Sequence, residues 1–260
     1  MQPHSGEFTA LLQQRLLRGE HLTLYGPRGS GKSTVLAEIH ARLERTGIPC
    51  AYSPCTTALD DITRTLERAY PWVDTGDVGR RTARVRLWNA ADRRSGILLL
   101  DHFRCNGSAT MSFLRRLHGK VAGVLTAVDV ESAGERSRMR SSRYGAMPVR
   151  MPRATARQLR RLLDERWGTL GLPPLGGEAV RTFVAAARGR PGWIVQCAQL
   201  ACERRYWRAY GPLITVLSVD TEAAVRHHAL AMVRAPGRAA PGDGPLRDPR
   251  RPMAGRRRQD

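Results

Sequence analysis

Nine consecutive residues, Gly26-Pro27-Arg28-Gly29-Ser30-Gly31-Lys32-Ser33-Thr34, join three glycines to a lysine and three hydroxyls. That pattern suits one chemistry, the binding of a polyphosphate. Glycines let successive backbone N–H groups turn inward around phosphate oxygens, where a side chain would obstruct them. Lys32 supplies a point charge for the β- and γ-phosphates, and Ser33 a hydroxyl for Mg²⁺. The loop follows an apolar run, His21 to Tyr25, and opens a helix-like run from Val35 to His40. The positive end of that helix then faces the same anion.

A second acidic position completes a metal–triphosphate site. Ile97-Leu98-Leu99-Leu100-Asp101 is a buried-strand pattern ending in a carboxylate, sixty-nine positions beyond Lys32. An aspartate at such a strand tip stands beside the Mg²⁺ held by Ser33. The next residue is His102. Related ATP-hydrolysing sites place a glutamate there to activate water. Imidazole, with an ordinary pKa near 6.5, can serve as a base but differs in shape and charge. The sequence therefore predicts ATP and Mg²⁺ binding, with weak hydrolysis.

Positioning these groups requires alternating strands and helices. Strands are expected at His21–Tyr25, Ile48–Ser53, Ile97–Asp101, Val121–Val128 and Ala146–Met151. Helices are expected at Ser33–Arg45, Ala58–Tyr70, Val78–Arg93 and Ala109–His118. This pattern gives an α/β fold, a phosphate-loop parallel sheet of about five strands covered by helices. A small helical lid follows, with helices expected at Ala156–Trp167, Glu178–Ala187 and Trp193–Trp207. Asp220-Thr221-Glu222 reads as the cap of one more helix through Val233. The expected division is 1–152 for the nucleotide-binding domain, 153–212 for the lid, 213–234 for a short helical extension and 235–260 for a basic tail. That tail holds five prolines, four glycines and seven arginines and reads as disordered.

Composition narrows the class. An apolar fraction of 42% suffices for a sizeable core, and no apolar run is long enough to cross a bilayer. The first residues lack the pattern of a secretory signal, so a cytoplasmic location is expected. Cys50, Cys55, Cys105, Cys197 and Cys202 show no metal-ligand spacing and read as reduced thiols. The net charge is +20, and Lys32 and Lys120 are the only lysines among 43 basic residues. So positive a surface attracts polyanions, nucleic acid first among them. Aromatics are sparse at 6%, which gives base stacking little support. Trp72, Trp88, Trp167, Trp193 and Trp207 read as packing residues.

The chain resembles the AAA+ ATPases, and within them the initiator and transposition-helper branch that includes the TniB and ExeA types. The loop Gly26–Thr34, the strands Ile97–Asp101 and Val121–Val128, and the segment Arg138 to Tyr144 carry the resemblance. So does the run from Val149-Arg150-Met151-Pro152 through Gln158 to Leu163, similar to the entry of the family's lid. The resemblance spans roughly residues 5 to 205. It implies that Arg143, with Arg140 as substitute, reaches a neighbouring protomer's nucleotide. It implies a first sensor at the fourth strand's end, either Thr126 or Asp129. It implies a second sensor in a Gly-x-Pro-Arg pattern, which here reads Gly189-Arg190-Pro191-Gly192, leaving Arg188 or Arg190 as replacements. The chain departs from the family in His102 and in having, after the lid, only about fifty polar residues where an initiator carries a winged helix.

What the resemblance implies is an ATP-dependent switch that assembles on DNA as a homo-oligomer and recruits a partner such as a transposase, recombinase or replication factor. Two other classes stay open: a phosphate-loop kinase, and a hydrolysis-poor nucleotide-binding regulatory module.

Overall fold

A computed structural model describes residues 6–104, 108–130, 146–208 and 211–234. The chain begins with helix α1 (Gly6–Leu17), then alternates β1 (Leu22–Gly26), α2 (Lys32–Glu44), β2 (Cys50–Ser53), α3 (Leu59–Ala69), α4 (Arg80–Arg93), β3 (Ile97–Leu100), α5 (Ser108–His118), β4 (Gly123–Asp129) and β5 (Met147–Arg150). The five strands form one parallel sheet in the order β2-β3-β4-β1-β5. Every strand therefore points the same way, and all C-terminal ends meet at one edge. That edge carries Gly26, Asp101 and Asp129.

The sequence explains this arrangement. Ile97 to Leu100 are all fully buried, as a central strand covered on both faces requires. Two apolar layers sandwich the sheet. On one face Leu12, Leu16, Leu36, Ile39 and Leu43 from α1 and α2 meet Leu22, Leu24, Ile97 and Leu125. On the other, Ile62, Leu66, Leu87 and Leu114 from α3, α4 and α5 meet Leu98, Leu100 and Val124. Helix α1 was not expected from the sequence. Its buried residues, Thr9, Leu12 and Leu16, recur at helical spacing but lie among polar and small neighbours.

Beyond β5 the chain forms α6 (Ala156–Thr169), α7 (Gly177–Ala187) and α8 (Pro191–Leu200), then a 3-10 turn (Arg204–Tyr206) and a two-stranded antiparallel ribbon, Trp207–Arg208 with Gly211–Pro212. Thr155 and Gln158 form a reciprocal cap on α6, with Gln158 N–H donating to Thr155 Oγ1 at 3.2 Å and Thr155 N–H to Gln158 Oε1 at 2.8 Å. The helix expected over Trp193–Trp207 stops at Leu200. Trp207 turns back, and its indole N–H donates to the Ala201 carbonyl at 2.7 Å.

The last helix, α9 (Ile214–Arg234), starts earlier than Asp220. Asp220 is no cap: its carboxylate accepts from the Tyr206 hydroxyl at 2.7 Å. Leu217, Thr221 and Val225 on α9 are buried, and Leu217 and Val225 join Leu163, Phe183, Trp193 and Ile194 in the lid's own core. Within the stretch expected as an extension, 213–234, α9 packs against the helices that follow β5. The tail 235–260 lies outside the described residues.

Candidate functional site

The phosphate loop runs from the end of β1 into α2. Gly29 and Gly31 take φ values of 73° and 95°, left-handed backbone that favours glycine, and so turn the chain sharply into the helix. The N–H groups of Lys32, Ser33 and Thr34 open α2 and have no acceptor within it, as at any helix start. Loop and helix end together form a nest of backbone donors matched to an anion.

Lys32 is 6% exposed. Its ammonium donates to the carbonyls of Gly26 at 3.0 Å and Pro27 at 2.9 Å, and pairs with Asp129 Oδ1 at 2.8 Å. Asp129 is the group on which the site's positive charges converge. It ends β4, in register with Gly26. Arg28 Nε lies 3.5 Å and His102 Nδ1 3.9 Å from its other oxygen. Burial alone would push this carboxyl upward; the His102 imidazole and the Lys32 ammonium outweigh it and hold Asp129 far below the usual carboxylate range. The same contact with Asp129 raises His102, against the downward pull of its own burial.

Asp101 is 1% exposed at the tip of β3. Its Oδ2 accepts from the Tyr52 hydroxyl at 2.9 Å and its Oδ1 from the His102 N–H at 2.8 Å. Burial and the Asp101 charge both raise the Tyr52 phenol, which remains a proton donor. Backbone hydrogen bonds lace the tip to the exit of β2: Asp101 N–H donates to the Ser53 carbonyl at 2.9 Å and Thr56 N–H to the Asp101 carbonyl at 3.0 Å. His102 takes φ 45°, unusual for a residue with a side chain, and this turns its ring toward Asp129.

The lid rests on the loop. Gly192 N–H donates to the Gly29 carbonyl at 2.8 Å, and a Cβ on Gly192 would lie 2.9 Å from Gly29 Cα. From α9, Val225 comes within 3.4 Å of where a Gly29 Cβ would be, and the Arg226 carbonyl accepts from Arg28 Nη1 at 2.8 Å. Arg190 faces the lid instead of the loop. It forms a two-pronged pair with Glu222 at 2.6 and 3.1 Å and donates to the Ala187 carbonyl. Arg188 caps α7 in left-handed conformation.

The structure therefore brings Gly26–Thr34, Asp101, His102 and Asp129 to one edge. Between the two first-sensor candidates, Asp129 stands at that edge. Thr126 sits deeper in β4, 5% exposed, and donates to Thr23 Oγ1 at 3.0 Å. Arg140 and Arg143 lie outside the described residues. Tyr52 was missed by sequence reasoning; its signal was a phenol one residue before the end of a strand flanking the aspartate strand. Cys50, Cys55, Cys197 and Cys202 are free thiols, Cys105 lies outside the described residues, and no metal-holding cluster of His, Cys, Asp and Glu occurs among the described residues.

No family model and no curated protein matches the sequence. Several solved structures are similar at low identity. A DNA replication initiation factor is 15% identical with a TM-score of 0.47, over 70% of this chain and 55% of that one. Domain III of the Thermotoga maritima replication initiation protein DnaA is 13% identical with a TM-score of 0.47, over 74% of this chain and 78% of that one. A DnaA bound to AMPPCP and single-stranded DNA is 14% identical with a TM-score of 0.48, over 85% of this chain and 63% of that one. The chain thus spans just over half of the first of these structures. At this level of likeness the functional reading rests on the chain's own residues.

Proposed function

We propose that this protein is an AAA+-type ATP-binding switch that hydrolyses slowly and works in contact with DNA. The carrying observation is the buried Asp101 on the same sheet edge as the glycine loop and Lys32. Lys32 is held ready: on binding, its ammonium exchanges the Gly26 and Pro27 carbonyls and Asp129 for phosphate oxygens. The open N–H groups at the start of α2 orient the chain of phosphates. Ser33 and Asp101 would hold Mg²⁺, which supplies positive charge to the β- and γ-phosphates.

Slow hydrolysis follows from His102. Its ring is directed at Asp129, and that contact shifts its titration upward, away from the neutral form that would accept a proton from water. Lid movement supplies the switch. Gly192 and α9 touch the loop itself, so a bound triphosphate and the lid's seating are coupled through Gly29 and Arg28. Arg143 of a second copy is the residue we assign to the γ-phosphate across an assembly interface. The +20 charge supports DNA as the polyanion engaged.

Gel-shift of duplex and single-stranded DNA with and without ATP·Mg²⁺, at two ionic strengths, tests this reading. It predicts salt-sensitive binding that changes several-fold with nucleotide. Binding indifferent to both nucleotide and salt would reject it.

A further inference from the structure

The opposite edge of the sheet carries a feature that the phosphate site does not use. A cleft of about 630 Å³ lies between the turn after α3 and the C-terminal half of α4, within the roughly 300–1,000 Å³ of sites that take organic ligands. Trp72, Asp74, Arg86, Asn89, Arg93 and Arg94 line it. Arg94 Nη2 donates to the Gly47 carbonyl at 2.9 Å, just ahead of β2, so the cleft sits where strands begin, far from Gly26 and Asp101.

Trp72 was expected to pack, yet it is 54% exposed, whereas Trp167 and Trp193 are buried. Its ring is steadied from two sides. Tyr70 meets it edge-on with centroids 5.5 Å apart, and the Arg94 guanidinium lies 5.2 Å from its centre. Arg86, Asn89 and Arg93 recur at i, i+3 and i+7 on one face of α4, beside the indole. Arg86 is held to the Asp74 carbonyl at 2.8 Å, while among the described residues no hydrogen bond or ion pair engages the side chain of Asn89 or Arg93.

We propose that this cleft binds single-stranded nucleic acid, with an unpaired base on Trp72 and the backbone phosphates on the arginines. An exposed, braced indole offers a π-face to any base, and only an unstacked base can use it. Arg86 and Arg93 are two helical turns apart, about 10 Å along the axis, a span that suits two phosphates of one strand better than one isolated phosphate. Asn89 stands between them with donor and acceptor for a base edge. Duplex DNA buries its base faces and gains nothing from the tryptophan. The inference rests on the nucleic-acid half of the proposed function and is independent of ATP binding.

The test is fluorescence anisotropy of the intact chain with a labelled 12-nucleotide single strand and with its duplex. The single strand should bind more tightly than the duplex. Trp72→Ala should weaken it by about 5- to 100-fold, the range of one lost base stack. Trp72→Phe should stay within about threefold, and Arg93→Ala should reduce the salt slope by about 0.7. Equal affinity for duplex and single strand, no effect of Trp72→Ala, or an equal loss in Trp72→Phe would each overturn the inference. Retained ATP binding with no strand binding would reject the cleft and leave the nucleotide reading standing.

Discussion

Asp129 draws three basic side chains to the end of β4, and its removal has a readable signature. Asp129→Asn takes away the partner that raises the His102 imidazole. The His102 titration midpoint, read by NMR, should lie above the ordinary value of about 6.5 in the wild type and fall in the variant. The sign for stability follows. Imidazolium pairing contributes fully below about pH 6.5 and is lost as pH rises through the raised folded value. An unchanged midpoint would mean that the 3.9 Å approach carries no electrostatic weight. His102→Glu supplies a carboxylate base where an imidazole paired with Asp129 now stands. Steady-state ATPase assays should show turnover rising about tenfold or more; no gain would indicate that the base is not what limits hydrolysis. At this scale the placement of the glycine loop after β1 and of Asp101 at the tip of β3 was legible because both patterns are local in sequence. That Asp129 and not Thr126 falls level with Gly26 was not, because it depends on the register between β1 and β4. Tyr52 was hidden for the same reason, since its partner is forty-nine positions away.

Among elements, the contact between lid and loop decides how the site is closed. Gly192 stands where the sequence resemblance led to an expected arginine, and the structure gives a reason for glycine: a side chain would drive into Gly29. Gly192→Ala should destabilise the closed arrangement by about 1–3 kcal/mol, the cost of overpacking, and Gly192→Arg should open the lid outright. Protection of α8 amides in hydrogen exchange reports both. Retained protection in Gly192→Arg would show that the lid has room to spare. Phe183 is fully buried between Trp167 and Trp193 in the lid core. Phe183→Ala should cost about 3–5 kcal/mol in chemical denaturation. The main strands and helices were readable from apolar periodicity, and errors cluster where tertiary packing overrides it. Helix α9 begins well before Asp220 because Leu217 and Thr221 enter the lid core. The helix after Pro191 ends at Leu200 because the chain turns there to tuck in Tyr206 and Trp207.

For the molecule as a whole, charge and architecture divide the labour between two edges of one sheet. The C-terminal edge gathers the phosphate loop, Asp101 and Asp129 beneath the lid. The N-terminal edge carries the Trp72 cleft and its arginines. No helix among the described residues is long and apolar enough to cross a membrane. The parallel sheet and the helical lid could be anticipated from the alternation of elements. The cleft could not, because composition counts tryptophans without saying which face water. Everything at the first edge depends on Lys32 and the glycine loop receiving a triphosphate. Isothermal calorimetry of the folded protein with ATP and Mg²⁺ tests this most directly. The account predicts saturable, one-site binding in the wild type, and its loss in Lys32→Ala without loss of fold. Heats no greater than dilution in the wild type, or undiminished binding in Lys32→Ala, would contradict it.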